Sequence, residues 1–189
     1  AGKTADDPKM SSIGKSEDIT LETRTGKIHG TLQLPETSAK CPVVLIHAGS
    51  GPTDRDGNNP LLPGKNDSLK MIAQGLAKEG IASVRFDKRG IAASAGGLKS
   101  EADLRFDHYV DDVVNWICLL QKDPRFSGVV VLGHSEGSLI GMAAANKVSG
   151  LSGVISVAGA GKPAYELITE QLANETKDIR DESHGIIEE

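Results

Sequence analysis

The chain has 189 residues, 38% hydrophobic, 25% charged and 3% aromatic, enough for one domain whose core rests on Val, Ile, Leu and Ala. Its net charge of −5, with no cluster of Lys and Arg, argues against nucleic acid or an anionic membrane surface as the main partner. No apolar run approaches the roughly 20 residues that a membrane-spanning helix needs.

The chain opens on "AGKTADDPKMSS", without an initiator Met. Mature exported proteins and trimmed ones both begin this way, so the compartment stays open. Residues 1–16 read as a loose polar arm. "EDITLETRTGKIHGTLQLPE" alternates in polarity and predicts two antiparallel strands turning near Gly26. "CPVVLIHAG" is a short apolar run suited to a strand buried on both faces. "SLKMIAQGLAKEG" spaces Leu69, Ile72, Ala73 and Leu76 as a helix and stops on Gly80. "IASVRFD" predicts a strand. The next segment sets Val110, Val113, Val114, Ile117 and Leu120 on one helical stripe, closed by Pro124. "SGVVVLGH", "EGSLIGMAAANKV" and "LSGVISVAG" then predict strand, helix and strand. Strand alternating with helix implies an α/β fold, a mostly parallel, doubly wound sheet with an N-terminal antiparallel hairpin. Cys41 and Cys118 lack metal-site spacing and read as small half-buried hydrophobes.

Gly133-His134-Ser135-Glu136-Gly137 fits G-x-S-x-G, placed between a strand and a helix. A sharp reversal there strains the backbone at Ser135 and lifts its hydroxyl to the carboxyl edge of the sheet. Glycines on either side let strand and helix approach, and the first helical N–H groups suit an oxyanion. The pattern points to Ser135 as a nucleophile. Eighty-six residues before Ser135, Gly49 lies in "HAGSGPTDRDGN", a loop that follows a buried strand directly. Its glycines let backbone amides turn inward without obstruction. Asp54, Arg55 and Asp56 read as a structural lock through Arg–carboxylate pairs, with a place at the substrate mouth as the other reading. Asp87, Lys88 and Arg89 read as a turn-stabilising network.

These two motifs, with "FDKRG" at Phe86 to Gly90 and Ser94, resemble the α/β-hydrolase superfamily, and within it the bacterial esterase and serine-aminopeptidase-like group. The resemblance runs from about residue 17 to 161, with Ala48 and Ala92 standing where glycine is usual. It implies oxyanion donors at the amides of Gly49 and Glu136, with His47, Ser50, His134, Asp54 and Arg55 supporting the loop and site. It also implies a triad ordered Ser, then Asp or Glu, then His.

Only 54 residues follow Ser135, and they supply one strand and an acidic tail. Residues 17–161 are therefore expected to form an incomplete hydrolase core lacking its C-terminal strands, and 162–189 the start of a helical cap or lid. His47 and His134 belong to the motifs, while His29 and His108 read as surface positions. His184, the one histidine downstream of Ser135, is a weak candidate for the base. The expectation is the N-terminal portion of a serine hydrolase cleaving small carboxylic esters through an acyl-enzyme, with no metal or organic cofactor implied. An aminopeptidase or amidase of the same fold and a catalytically incomplete binding protein stay open. So does self-association through the last strand's unpaired edge.

Overall fold

A computed structural model describes residues 13–173. Six strands form one mixed sheet: β1 (Lys15–Thr23), β2 (Gly26–Leu34), β3 (Cys41–His47), β4 (Ala82–Phe86), β5 (Phe126–His134) and β6 (Gly153–Val157). The order across the sheet is β1-β2-β4-β3-β5-β6. β3 pairs in parallel with β4 and β5, and β5 with β6, whereas the hairpin is antiparallel and joins through β2 against β4. Four helices connect or follow the parallel strands: α1 (Ser68–Lys78), α2 (Phe106–Gln121), α3 (Glu136–Ala145) and α4 (Ala164–Leu172). The hairpin ladder pairs Lys15 with Leu34, and the Ser16 hydroxyl donates to Gln33 Oε1 at 2.7 Å. The strand thus takes in two residues that the sequence places in the arm.

Pleating sends neighbouring β3 side chains to opposite faces. Val43 and Leu45 join the larger core with Trp116, Ile117 and Ile140 of α2 and α3. Val44 and Ile46 join the smaller one with Leu69 and Ala73 of α1. Helices therefore cover both faces, and the apolar stripes read from the sequence are the faces that pack. Val114 and Ile72 are only partly buried, since each sits at the margin of its stripe. β6 occupies one edge of the described sheet with Ile155 44% exposed, more open than its apolar sequence suggests. Cys41 is buried, Cys118 half-buried, and both are free.

A buried ion pair ties the hairpin to the rest. Arg89 donates to both carboxylate oxygens of Asp112 on α2, at 2.5 and 3.0 Å, and to Thr25 in the β1–β2 turn. Burial pushes the Asp112 carboxyl up, against the pull of Arg89.

Candidate active site

β5 runs out at His134, α3 begins at Glu136, and Ser135 is the whole connection. One residue can reverse the chain only in an unusual conformation: Ser135 has φ 53° and ψ −120°, a region that L-residues with a Cβ disfavour. The corner is held from several sides. The Ser135 N–H donates to Val157 O at 2.9 Å, Ser138 N–H donates back to Ser135 O at 2.9 Å, and the buried Ser138 hydroxyl donates to Gly133 O at 2.7 Å. α3 must also pass close to β3. A Cβ on Gly137 would lie 2.6 Å from His47 O and 2.7 Å from Ala48 O, so only glycine fits there. Glu136 opens α3, where the first N–H groups of a helix lack intrahelical partners and carry partial positive charge.

The facing wall is the loop after β3. Gly49 approaches the corner so closely that a Cβ there would lie 3.1 Å from His134 Nδ1 and 3.2 Å from Ser135 Cβ. Beneath it, His47 is fully buried, with Nδ1 2.7 Å from Ala48 O. A carbonyl can only accept, so Nδ1 carries the proton and Nε2, which has no partner among the described residues, does not. Burial drives the His47 pKa down to about 4, with the Lys88 charge adding to the effect and the Ala48 bond opposing it. Lys88 is also buried. Its Nζ donates to Gly49 O at 2.5 Å and Gly51 O at 2.8 Å. Burial lowers its pKa, while the Glu136 charge pulls it up.

Further along, the loop is pinned to the sheet. Arg55 gives its backbone N–H to Asp87 Oδ1 at 2.8 Å and its guanidinium to Oδ2 at 2.7 Å and to Thr31. Arg85 on β4 pairs with Asp56, and Asp54 Oδ1 accepts the amides of Asp56 and Asn58. Asp87 also accepts the Ala93 N–H at 3.1 Å, fixing the turn in which Ala92 takes φ 45°. Glycine would adopt that left-handed angle at less cost than Ala92 does.

Between corner and loop lies a cleft of about 490 Å³, lined by Gly49, Ser50, Asn59, Leu62, His134 and Ser135. Ser135 is half-buried and reaches it. A larger concavity of about 650 Å³ lies between the hairpin and α2, away from Ser135. Among the described residues, no His, Cys, Asp or Glu cluster could hold a metal ion.

The sequence-derived residues Ser135, Glu136, Gly49, Ser50, His47 and His134 thus converge on one edge, with Asp54 and Arg55 behind them. No hydrogen bond joins a histidine of the described residues to Ser135. His29 faces Thr20 on the hairpin, and the His108 ring accepts from Arg105 N–H at the start of α2. His184 lies outside the described residues. The sequence reading missed Lys88's bonds to the glycine loop.

The family model described as serine aminopeptidase, S33, matches residues 64–182. Esterase EstD of Thermotoga maritima is 30% identical over 158 residues, which is 84% of this chain and 35% of that protein. The chain therefore spans about a third of the length of that curated relative. The α/β hydrolase GrgF from Penicillium sp. sh18 superposes with a TM-score of 0.63 at 20% identity, over 89% of this chain and 56% of that one. XC6422 from Xanthomonas campestris, an a/b serine hydrolase without lid, gives 0.59 at 24% identity, over 78% and 63%. Est1E from Butyrivibrio proteoclasticus gives 0.58 at 17%, over 80% and 55%. At such identities the superpositions speak for the fold, and the sequence matches carry the family. The sheet, its single-residue corner at Ser135 and these matches agree: the chain belongs to the serine aminopeptidase, S33, family, with an α/β-hydrolase fold, and is similar in sequence to an esterase.

Proposed function

We propose that the chain carries the acylating half of a serine hydrolase that cleaves small carboxylic esters. The observation behind this reading is the strained Ser135, half-open to a cleft whose opposite wall is Gly49. Ser135 Oγ attacks the acyl carbonyl. The carbon–oxygen double bond opens to an oxyanion, which the amides of Gly49 and Glu136 receive. Collapse expels the alcohol, which leaves with the proton that Ser135 gave up, and water then releases the acid. We assign the proton-transfer base and its orienting acid to residues outside the described part, because His47 is engaged with Ala48 and its pKa is pushed down to about 4. The identity to an esterase favours esters. The family model's description favours a second reading, cleavage of aminoacyl amides by the same machinery. We also keep the edge of β6 as the surface through which two copies would pair, which sedimentation at rising concentration tests.

The test sets the 189-residue chain beside Ser135→Ala, with a fluorophosphonate probe, short p-nitrophenyl esters and aminoacyl p-nitroanilides. Covalent labelling lost in Ser135→Ala, with weak ester turnover, is the expected result. Faster anilide turnover would favour the peptidase. Labelling that survives the substitution would remove Ser135 as nucleophile.

A further inference from the structure

Two carbonyls in succession after β3 are engaged from the core side. Ala48 O receives the His47 ring and Gly49 O receives Lys88 Nζ, and both donors are buried. A trans peptide unit points its C=O and N–H in opposite directions. Holding the Ala48 carbonyl inward therefore turns the Gly49 N–H outward, and holding the Gly49 carbonyl inward turns the Ser50 N–H outward. Gly49 and Ser50 line the cleft on that outer side, and neither amide has a protein acceptor among the described residues. Lys88 also grips Gly51 O at 2.8 Å, and the next residue is Pro52, so that unit has no amide to misdirect. Successive amides turned to one side form an anion-binding concavity.

We infer that Lys88 is a positioning residue for the oxyanion site: by fixing the Gly49 carbonyl in the core it presents the Ser50 amide, beside that of Gly49, to the oxyanion formed on Ser135. This rests on the reading of Ser135 as nucleophile. Lys88 never touches substrate. It acts through the orientation of one peptide unit, and its ammonium suits that role because it can grip two carbonyls at once. Only the third and fourth residues of "HAGSG", Gly49 and Ser50, turn their amides to the cleft, so the Ala48 side chain does not stand in the way.

Two variants of the full 189-residue chain test the proposal. Lys88→Met removes the grip and keeps the bulk, whereas Ser50→Pro removes the Ser50 N–H and leaves Lys88 untouched. In a saturation series with a fluorophosphonate, each should lower the maximal labelling rate by about 10²-fold, the usual loss for one oxyanion donor. The half-saturating probe concentration should stay unchanged, and Lys88→Arg should recover part of the rate. A loss through general loosening would instead raise half-saturation and would spare Ser50→Pro. The crystal structure of Lys88→Met is expected to show the 49–50 peptide rotated. Wild-type labelling rates in both variants, or an unrotated peptide in Lys88→Met, overturn the proposal. If Lys88→Met fails to fold, Lys88→Arg takes its place: a lowered maximal rate at unchanged half-saturation supports the proposal, and the wild-type rate overturns it. If the wild-type chain is not labelled at all, the nucleophile reading fails instead, and the orientation of the 49–50 peptide alone decides.

Discussion

Replacing Gly137 by Ala tests how tightly the corner is built. The new Cβ would sit 2.6 Å from His47 O, 2.7 Å from Ala48 O and 2.9 Å from His47 Nδ1, where 3.4 Å is an ordinary contact. A displacement of about 0.8 Å is needed, and every atom in the way is backbone or a fully buried ring. Overpacking of this kind costs about 1–3 kcal/mol. Ala in place of Gly within a helix returns up to about 1 kcal/mol. The net loss should be about 1–2 kcal/mol, or roughly 2–8 °C in Tm for a chain of this size. Gly75 supplies the control. It lies exposed in α1 with nothing within 4 Å of its would-be Cβ, so Gly75→Ala should raise stability by up to about 1 kcal/mol. Thermal unfolding followed by circular dichroism measures both. The same 0.8 Å pushes the Ala48 carbonyl and the Gly49 peptide out of place, so phosphonate labelling of Gly137→Ala should fall as well. A Gly137→Ala chain as stable as Gly75→Ala would refute the close-approach argument.

Three further outcomes follow from the same geometry. Ser135→Gly relaxes the φ 53° strain and Ser135→Ala does not, so the glycine variant should be about 1 kcal/mol the more stable in urea unfolding; coincident midpoints would show the corner unstrained. His47 has its pKa depressed from 6.5 to about 4, mainly by burial, so below pH 6.5 the unfolded chain takes up a proton that the folded chain refuses. Stability from this group is therefore complete above pH 6.5 and is lost as pH falls towards 4, by up to about 3 kcal/mol. Urea midpoints from pH 7 to 4 should show that loss in the wild type and a flatter profile in His47→Gln. Removing one partner of the buried Arg89–Asp112 pair should cost about 3–5 kcal/mol in Asp112→Ala, and Arg89→Met with Asp112→Leu should regain most of it; equal unfolding midpoints would refute this.

Much of this was legible in the chain. Alternation in the hairpin, the apolar run before His47 and the stripes of α1 and α2 each follow from a short-range rule, and each formed the element it implied. Ser135 was legible for the same reason, because its motif is local. The sheet order was not. Nothing near Gly30 or Phe86 announces that β2 pairs with β4, since that contact is set by what remains after β3 takes its parallel neighbours. The charged residues behind the cleft were half legible. Arg55 and Asp56 sit together in sequence, but their partners Asp87 and Arg85 come from β4 and the turn after it, about 30 residues on, and only folding matches the pairs. Lys88 was the hardest to read, because its acceptors are backbone carbonyls, which no residue name reveals.

The place of β3 at the centre of the sheet bears on how the chain is made. β4 pairs with one edge of β3, and the other edge waits for β5, whose first residue is Phe126. A ribosome adding roughly 5–20 residues per second needs some 4–16 s to get from His47 to Phe126. Through that interval Val43, Val44, Leu45 and Ile46 offer an apolar strand edge to whatever stands nearby, including the same segment on a neighbouring nascent chain. The exposed interval closes when Phe126–His134 docks on β3, and a chaperone acting on this chain would have its work between the synthesis of the two strands.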